Sequence, residues 1–380
     1  MPHDLLVPRL RSRFRRQVLA AAVAVLAAAG VSACADDGGG GGGTASSGDT
    51  EFANLGKVIP GLDKAVVAAA CQEGQLQLYQ INVTPSANDV VDSFKQMVPC
   101  VKLNVVQASG AELAQRFTTG RRTGDVPDYF ENSDPGILSQ LAGSGAFQQY
   151  QPPGITDLAS PNPGLWFPEY NIAMGFLYRP DRLSDAQVAK LATWKGVLDP
   201  TFANTKMAVI SPAAGGTPLV SFYDMVTTNG KAFVSDLKSD KITVFPASRP
   251  AGESIASGES DMAWPFASTT ALELLGHSAP VRIVFPTPVD LIPVGSGIPT
   301  GAKHPNAAKL FISYMLSDAV QKQYSQKNGA VPARSSVPFT NDVTNQPWWK
   351  LPTEPYGYQP AEVSAAAPDL IAGFKSAFGG

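Results

Sequence analysis

The sequence predicts an α/β protein with room for two domains. At 380 residues the chain exceeds one small domain and suits two of ordinary size. Stretches with the two-residue alternation of strands are repeatedly followed by stretches with the spacing of helices. Such β-α-β order implies a parallel sheet with right-handed crossovers. The 35 glycines and 32 prolines supply the turns that so many junctions need, and 44% hydrophobic residues suffice for sizeable cores.

The N-terminal segment belongs to neither domain. Arg9, Arg11, Arg13, Arg15 and Arg16 precede the apolar run 17–33, which is rich in alanine. That run is short for a spanning helix and ends in small residues before a cysteine, which suits a cleaved secretory signal over residues 1–33. Val31-Ser32-Ala33-Cys34 resembles a bacterial lipobox, which implies a diacylated Cys34 as the new N-terminus. An ordinary signal peptide with an incidental cysteine is the other reading, and a faint twin-arginine likeness at Arg15-Arg16 leaves the export route open. Residues 34–51 then read as the lipidated cysteine and a flexible tether. Its run of six glycines holds nothing to offset the entropy of an ordered backbone. Without this basic leader the chain is more acidic than its net charge of −3, so nothing supports a nucleic-acid partner. The two remaining cysteines, Cys71 and Cys100, form an even pair that favours a disulfide outside the cytoplasm, with two free buried thiols as the alternative. No cysteine spacing suits zinc.

From there the elements follow in order. Residues 75–81 alternate as a strand, and 86–98 carry an apolar helical stripe with Ser86 placed as N-cap. Residues 101–108 are a second strand, 109–120 a second helix opened by Ser109, and 127–132 a short third strand. A second α/β region starts near Trp166, with strands expected at 171–179, 206–212, 241–246 and 261–266 and a helix at 218–228. Residues 281–299 read as a return strand and crossover, 304–325 as one long helix, and the C-terminal stretch as a last helix. In parallel sheets ligands bind beyond the carboxyl ends of the strands.

Taken together, these segments resemble the extracellular solute-binding proteins of bacterial ABC importers, in the cluster that takes ferric iron, thiamine, phosphonates, phosphate esters and polyamines. The resemblance covers about residues 70–340. It rests on "EGQLQLYQ", "ASGAELAQRFTTGRRTGDVPDYF", "AGESIASGESDMAW" and above all "GAKHPNAAKLFISYMLSDAVQKQYSQKNGAVPAR". It implies the type II periplasmic-binding-protein fold, two α/β lobes joined by crossing strands with a ligand cleft between them. Lobe one would comprise 52–160 and 286–335, and lobe two 161–285 and 336–380. The implied partners are a small-molecule ligand, an ABC permease and its ATPase, and a membrane reached through the lipid anchor. The implied state is a monomer without cofactor. A sensor that signals without transport would use the same fold.

Ferric members hold iron with two adjacent tyrosines, because hard Fe(III) prefers phenolate and carboxylate oxygen. Here ten tyrosines include no adjacent pair, and Trp264-Pro265-Phe266-Ala267-Ser268 stands where the pair is expected. An organic ligand is therefore expected, with no metal. Candidate contacts are Thr84, Ser86, Ser109, Asn132 and Ser133 on lobe one and Trp166 and Tyr170 near the lobe crossing. On lobe two they are Gly215, Gly216, Thr217, Trp264, Phe266 and Ser268. Gly215, Gly216 and Thr217 open a helix, where free N–H groups and the helix dipole attract an anion, so a phosphonate, phosphate ester or carboxylate is favoured. Glu112, Glu131 and Asp134 leave polyamine or thiamine-like cations open. Each residue also has an ordinary role. Ser86, Ser109 and Thr217 fit helix caps, Trp264 and Phe266 fit a core, and Arg249, a candidate partner for an anionic ligand, also fits an exposed surface. Enzyme signatures such as GxSxG, HExxH and a P-loop are missing, which leaves a secreted hydrolase or lyase with little material.

Overall fold

Strand alternation becomes burial in the first strand, where Leu76 and Leu78 are fully buried while Gln75, Gln77 and Tyr79 beside them are more open. The computed structural model describes residues 48–81, 85–237, 241–339, 346–357 and 359–379. The leader, Cys34 and most of the tether therefore lie outside the described residues, as does Thr84. The tether's end is a correction. Helix α1 (Asp49–Leu55) starts inside it, with Leu55 buried and Asp49 paired to Lys64 at 2.7 Å.

The remaining elements of the first lobe are α2 (Lys64–Glu73), β1 (Gln75–Ile81), α3 (Pro85–Met97), β2 (Lys102–Ala108), α4 (Gly110–Thr123), β3 (Tyr129–Asn132) and α5 (Pro135–Gly143). Strand β4 (Phe167–Tyr178) leads into α6 (Asp185–Lys190), β5 (Met207–Ile210), α7 (Gly216–Asn229), β6 (Ile242–Phe245) and α8 (Ser248–Ser257). After these come β7 (Met262–Ala267), α9 (Ser268–Gly276), β8 (Arg282–Val284) and β9 (Leu291–Gly297). The chain ends with α10 (Pro305–Met315), α11 (Asp318–Asn328), β10 (Val331–Pro332) and α12 (Pro360–Phe378). No helix among the described residues is long and apolar enough to cross a membrane.

Two details differ from expectation. Helix α3 begins at Pro85, so Ser86 sits inside its first turn rather than at the N-cap. The long helix expected at 304–325 is two helices, because the Ser317 side chain accepts from the Val320 N–H (3.4 Å) and starts α11 anew.

The strands run in the order β2-β1-β3-β9-β4-β7-β5-β6. In lobe one β1 lies parallel to β2 and β3, as the β-α-β order requires, and β9 returns antiparallel beside β3. Strand β4 crosses between the lobes. Its first half pairs β9 and β10, and its second half pairs β7 and β8. Lobe two completes itself with β5 parallel to β6 and β7. Ser268 marks the crossing, since its hydroxyl accepts the Ala173 N–H (3.2 Å) where β4 changes partners. The C-terminal helix was expected on lobe two alone, yet α12 packs on both lobes. Phe374 meets Phe222 of α7 edge-on at 5.2 Å, while Ser364 lies directly against Gly136 of α5. Cys71 and Cys100 are joined by a disulfide that links the end of α2 to the turn before β2, with Cα atoms 5.1 Å apart.

Candidate functional site

A cavity of about 670 Å3 opens where the carboxyl ends of both sheets face each other. Lobe one contributes Ile81 from the end of β1, Ala108 and Ser109 at the end of β2, and Asn132, Ser133 and Asp134 at the end of β3. Lobe two contributes Gly215, Gly216 and Thr217 after β5, the turn 246–250 after β6, and Thr269 and Thr270 after β7. Tyr170 of β4 and Asn328 at the end of α11 also line it. Seven of the expected residues thus share one space: Ser109, Asn132, Ser133, Tyr170, Gly215, Gly216 and Thr217.

Local chemistry explains their placement. Ser109 caps α4 by accepting the Glu112 N–H (3.3 Å), so its ordinary role and its position at the cavity coincide. Asn132 is fully buried and works as a bracket. Its amide nitrogen donates to the Gly110 carbonyl (2.9 Å) and its oxygen accepts the Asp134 N–H (2.9 Å). Asp134 in turn caps α5, its Oδ1 accepting from Gly136 (2.9 Å) and Ile137 (3.2 Å). Helix α7 has no side-chain cap from its own N-cap residue. Its N-cap is Gly215 and Thr217 makes no cap hydrogen bond, so this turn presents backbone N–H groups and a hydroxyl to the cavity.

The expected aromatic walls are a correction. Trp264 and Phe266 on β7 are fully buried. Trp264 packs against Phe222 (5.8 Å) and Phe176 (6.2 Å), away from the cavity. Every residue of β7 is buried, because helices cover both faces of this strand. Trp166 is equally buried and donates its indole N–H to Asn162 (3.0 Å). Ser268 is spent on the β4 crossing described above. The side chain of Ser86 lies outside what the structure describes.

Two contributions escaped sequence reasoning. Asn328 is 3% exposed and its Oδ1 has no hydrogen-bond partner, leaving a buried acceptor at the cavity. Thr269 and Thr270 add hydroxyls. Arg249, weighed from the sequence as a partner for an anionic ligand, stands at the wall, tied to Glu273 by two contacts of 2.7 and 2.9 Å. The turn 246–250 and the two threonines follow strand ends, and that position was the available signal.

Beneath Tyr170 lies a buried polar cluster on the crossing strands. Glu169 of β4 accepts from the Tyr129 hydroxyl at 2.9 and 2.8 Å and from Ser296 of β9 at 2.5 Å. Burial pushes its pKa up to about 7 even though those donors favour the charged form. Glu131 is raised well above the carboxylate range, first by burial and then by the charge of Glu169. Burial raises Tyr129, Tyr170 and Tyr324 as well, which keeps the phenols protonated. A second buried acid pair, Asp224 of α7 and Asp290 before β9, is raised by burial in the same way. Among the described residues one set of Cys, His, Asp or Glu atoms is close enough to share a metal, Glu51 with Cys71 and Cys100. The disulfide already takes its two sulfurs.

Two α/β lobes, a strand crossing between them and a cavity at the carboxyl ends of both sheets define a cleft-binding protein. Over residues 78–329 the sequence matches the bacterial extracellular solute-binding proteins, and the chain belongs to that family. The same fold recurs in solved structures. Iron-bound HitA from Pseudomonas aeruginosa superposes with a TM-score of 0.67 at 18% identity, covering 80% of this chain and 99% of that one. The ferric binding protein from Campylobacter jejuni gives 0.64 at 17%, covering 80% and 99%. The periplasmic binding protein AfuA from Actinobacillus pleuropneumoniae, with exogenous fructose-6-phosphate bound, gives 0.64 at 17%, covering 80% and 98%. The fold is thus that of type II periplasmic binding proteins. By that membership the protein is an extracellular solute-binding protein, one that takes a small ligand in its cleft.

Proposed function

We propose that the cavity receives a small organic solute bearing an anionic group, a phosphate ester, phosphonate or carboxylate, which seats on the first turn of α7. The observation that carries this reading is the Gly215-Gly216-Thr217 turn at the cavity, which starts α7 without a cap from its own N-cap residue. The orphan Asn328 oxygen calls for a donor on the same ligand, a hydroxyl or an amine, so a hydroxylated or aminated anion satisfies both ends. AfuA, whose structure carries fructose-6-phosphate, supports a phosphate ester as one such ligand. The anchor at Cys34 and a monomeric state belong to the same proposal, with the glycine tether letting the receptor reorient over its permease.

Ferric iron is the second reading, favoured by the iron-bound HitA and the Campylobacter protein. The donor set weighs against it. Tyr170 is the one tyrosine among the described cavity-lining residues, and its hydroxyl points to Glu131 at 3.5 Å. A thermal-shift screen of phosphate esters, phosphonates and carboxylates on the purified full-length protein separates the two. A saturating ligand at a hundred times its Kd stabilises by about 2.7 kcal/mol. Thr217→Trp should abolish that shift while leaving the unliganded melting temperature within a few degrees. A saturable Fe(III) charge-transfer band, or undiminished binding in the Thr217 variant, would overturn the reading.

A further inference from the structure

The first turn of α7 has a partner within the chain. The Gly216 N–H donates across the cleft to Oδ2 of Asp134 at 3.4 Å, while Oδ1 of the same carboxylate caps α5. One side chain from lobe one therefore joins the N-termini of two helices, one in each lobe. The approach is close enough to need glycine. A Cβ at Gly216 would lie 2.8 Å from the Ser133 hydroxyl, and its φ of +56° is a conformation that other residues adopt with strain. Asp134 is held in place by the Asn132 bracket and is 8% exposed. Across the cavity, the unpartnered and 3% exposed Asn328 oxygen marks the same space as a ligand site.

We infer that Asp134 is an internal occupant of this seat: its carboxylate holds the α7 turn across the cleft until a ligand displaces it. A helix N-terminus attracts the nearest anion, and a protein carboxylate already ordered by its own cap loses little entropy in serving. The occupant then sets selectivity as well as closure. A ligand anion gains the α7 N–H groups only by exchanging for one carboxylate and by tolerating its charge nearby. Weak monoanions are therefore rejected more strongly than groups with several oxygens, which reach the N–H groups and the Thr217 hydroxyl together. This selectivity rests on the anionic reading proposed above, whereas the Asp134–Gly216 contact does not.

Amide hydrogen exchange on the full-length protein, followed by mass spectrometry of the segment around Gly216, tests the inference directly. Asp134→Ser preserves a capping hydroxyl for α5 but is too short to reach Gly216, and Asp134→Asn preserves the reach but removes the charge. With no ligand added, exchange at Gly216 should rise about tenfold in Asp134→Ser, while the peptide covering α5 exchanges as in the wild type. Equal exchange at Gly216 in wild type and Asp134→Ser, with α5 intact, would overturn the inference. Inorganic phosphate is the probe for the seat, and it should bind about tenfold tighter to both variants than to the wild type. Faster exchange without any gain in phosphate binding would uphold Asp134 as occupant and refute the anionic reading.

Discussion

Replacing Glu169 with glutamine probes the buried cluster on the crossing strands. In the folded protein burial lifts the Glu169 carboxyl to about 7 from its ordinary value of 4.5. Between those values the native state keeps a proton that the unfolded chain has lost. By linkage, stability is greatest below about pH 4.5 and falls as pH rises to about 7. A shift of this size corresponds to roughly 3 kcal/mol. The groups facing Glu169 are Tyr129 and Glu131 of β3, Tyr170 of β4, Ser296 of β9, and Tyr324 and Gln321 of α11. The phenols stay neutral, and Glu131, raised further, keeps its proton longer, so the negative charge falls on the better hydrogen-bonded Glu169. Glu169→Gln is neutral throughout and leaves one oxygen for Tyr129 and Ser296, at a pH-independent cost of about 1 kcal/mol. Urea unfolding at pH 5 and pH 8 supplies the measurement. The variant should be slightly less stable than wild type at pH 5 and more stable at pH 8, the difference moving by roughly 3 kcal/mol between them. A difference independent of pH would show that Glu169 does not titrate in this window and would refute the argument.

Two further outcomes concern covalent chemistry. The double variant Cys71→Ala/Cys100→Ala should lose about 3.6 kcal/mol of unfolding stability, the closure entropy of a loop with a sequence separation of 29 residues. An unchanged urea midpoint would show that the bond does not constrain the unfolded chain. Cys34→Ala should move the protein from the membrane fraction to the soluble extracytoplasmic fraction, and a variant that stays with the membrane would contradict lipid anchoring.

The legible part of the site was the part that strand ends determine. Ser109, Asn132, Ser133 and the turn 215–217 each follow a strand with clear alternation or a helix-start signature, so their place at the cavity follows from parallel-sheet topology. The aromatic walls failed because "MAWPFA" reads the same for a cleft lining and for a strand covered on both faces. Only the helices packed around β7 separate the two. The single helix expected at 304–325 failed for a local reason, since one capping serine outweighed a continuous apolar stripe.

By itself, the sequence determined the order of most elements, the parallel pairing of the first three strands and the carboxyl-end location of the site, because alternation, helical spacing and turn residues act over a few neighbours. The tertiary structure decided which side chains meet across the cleft. Asn328 arrives at the cavity from the far end of α11, and Asp134 reaches Gly216 over a separation of 82 residues. Contacts of that kind leave no periodic trace, since they depend on how two lobes pack about a crossing strand rather than on any local preference of the chain.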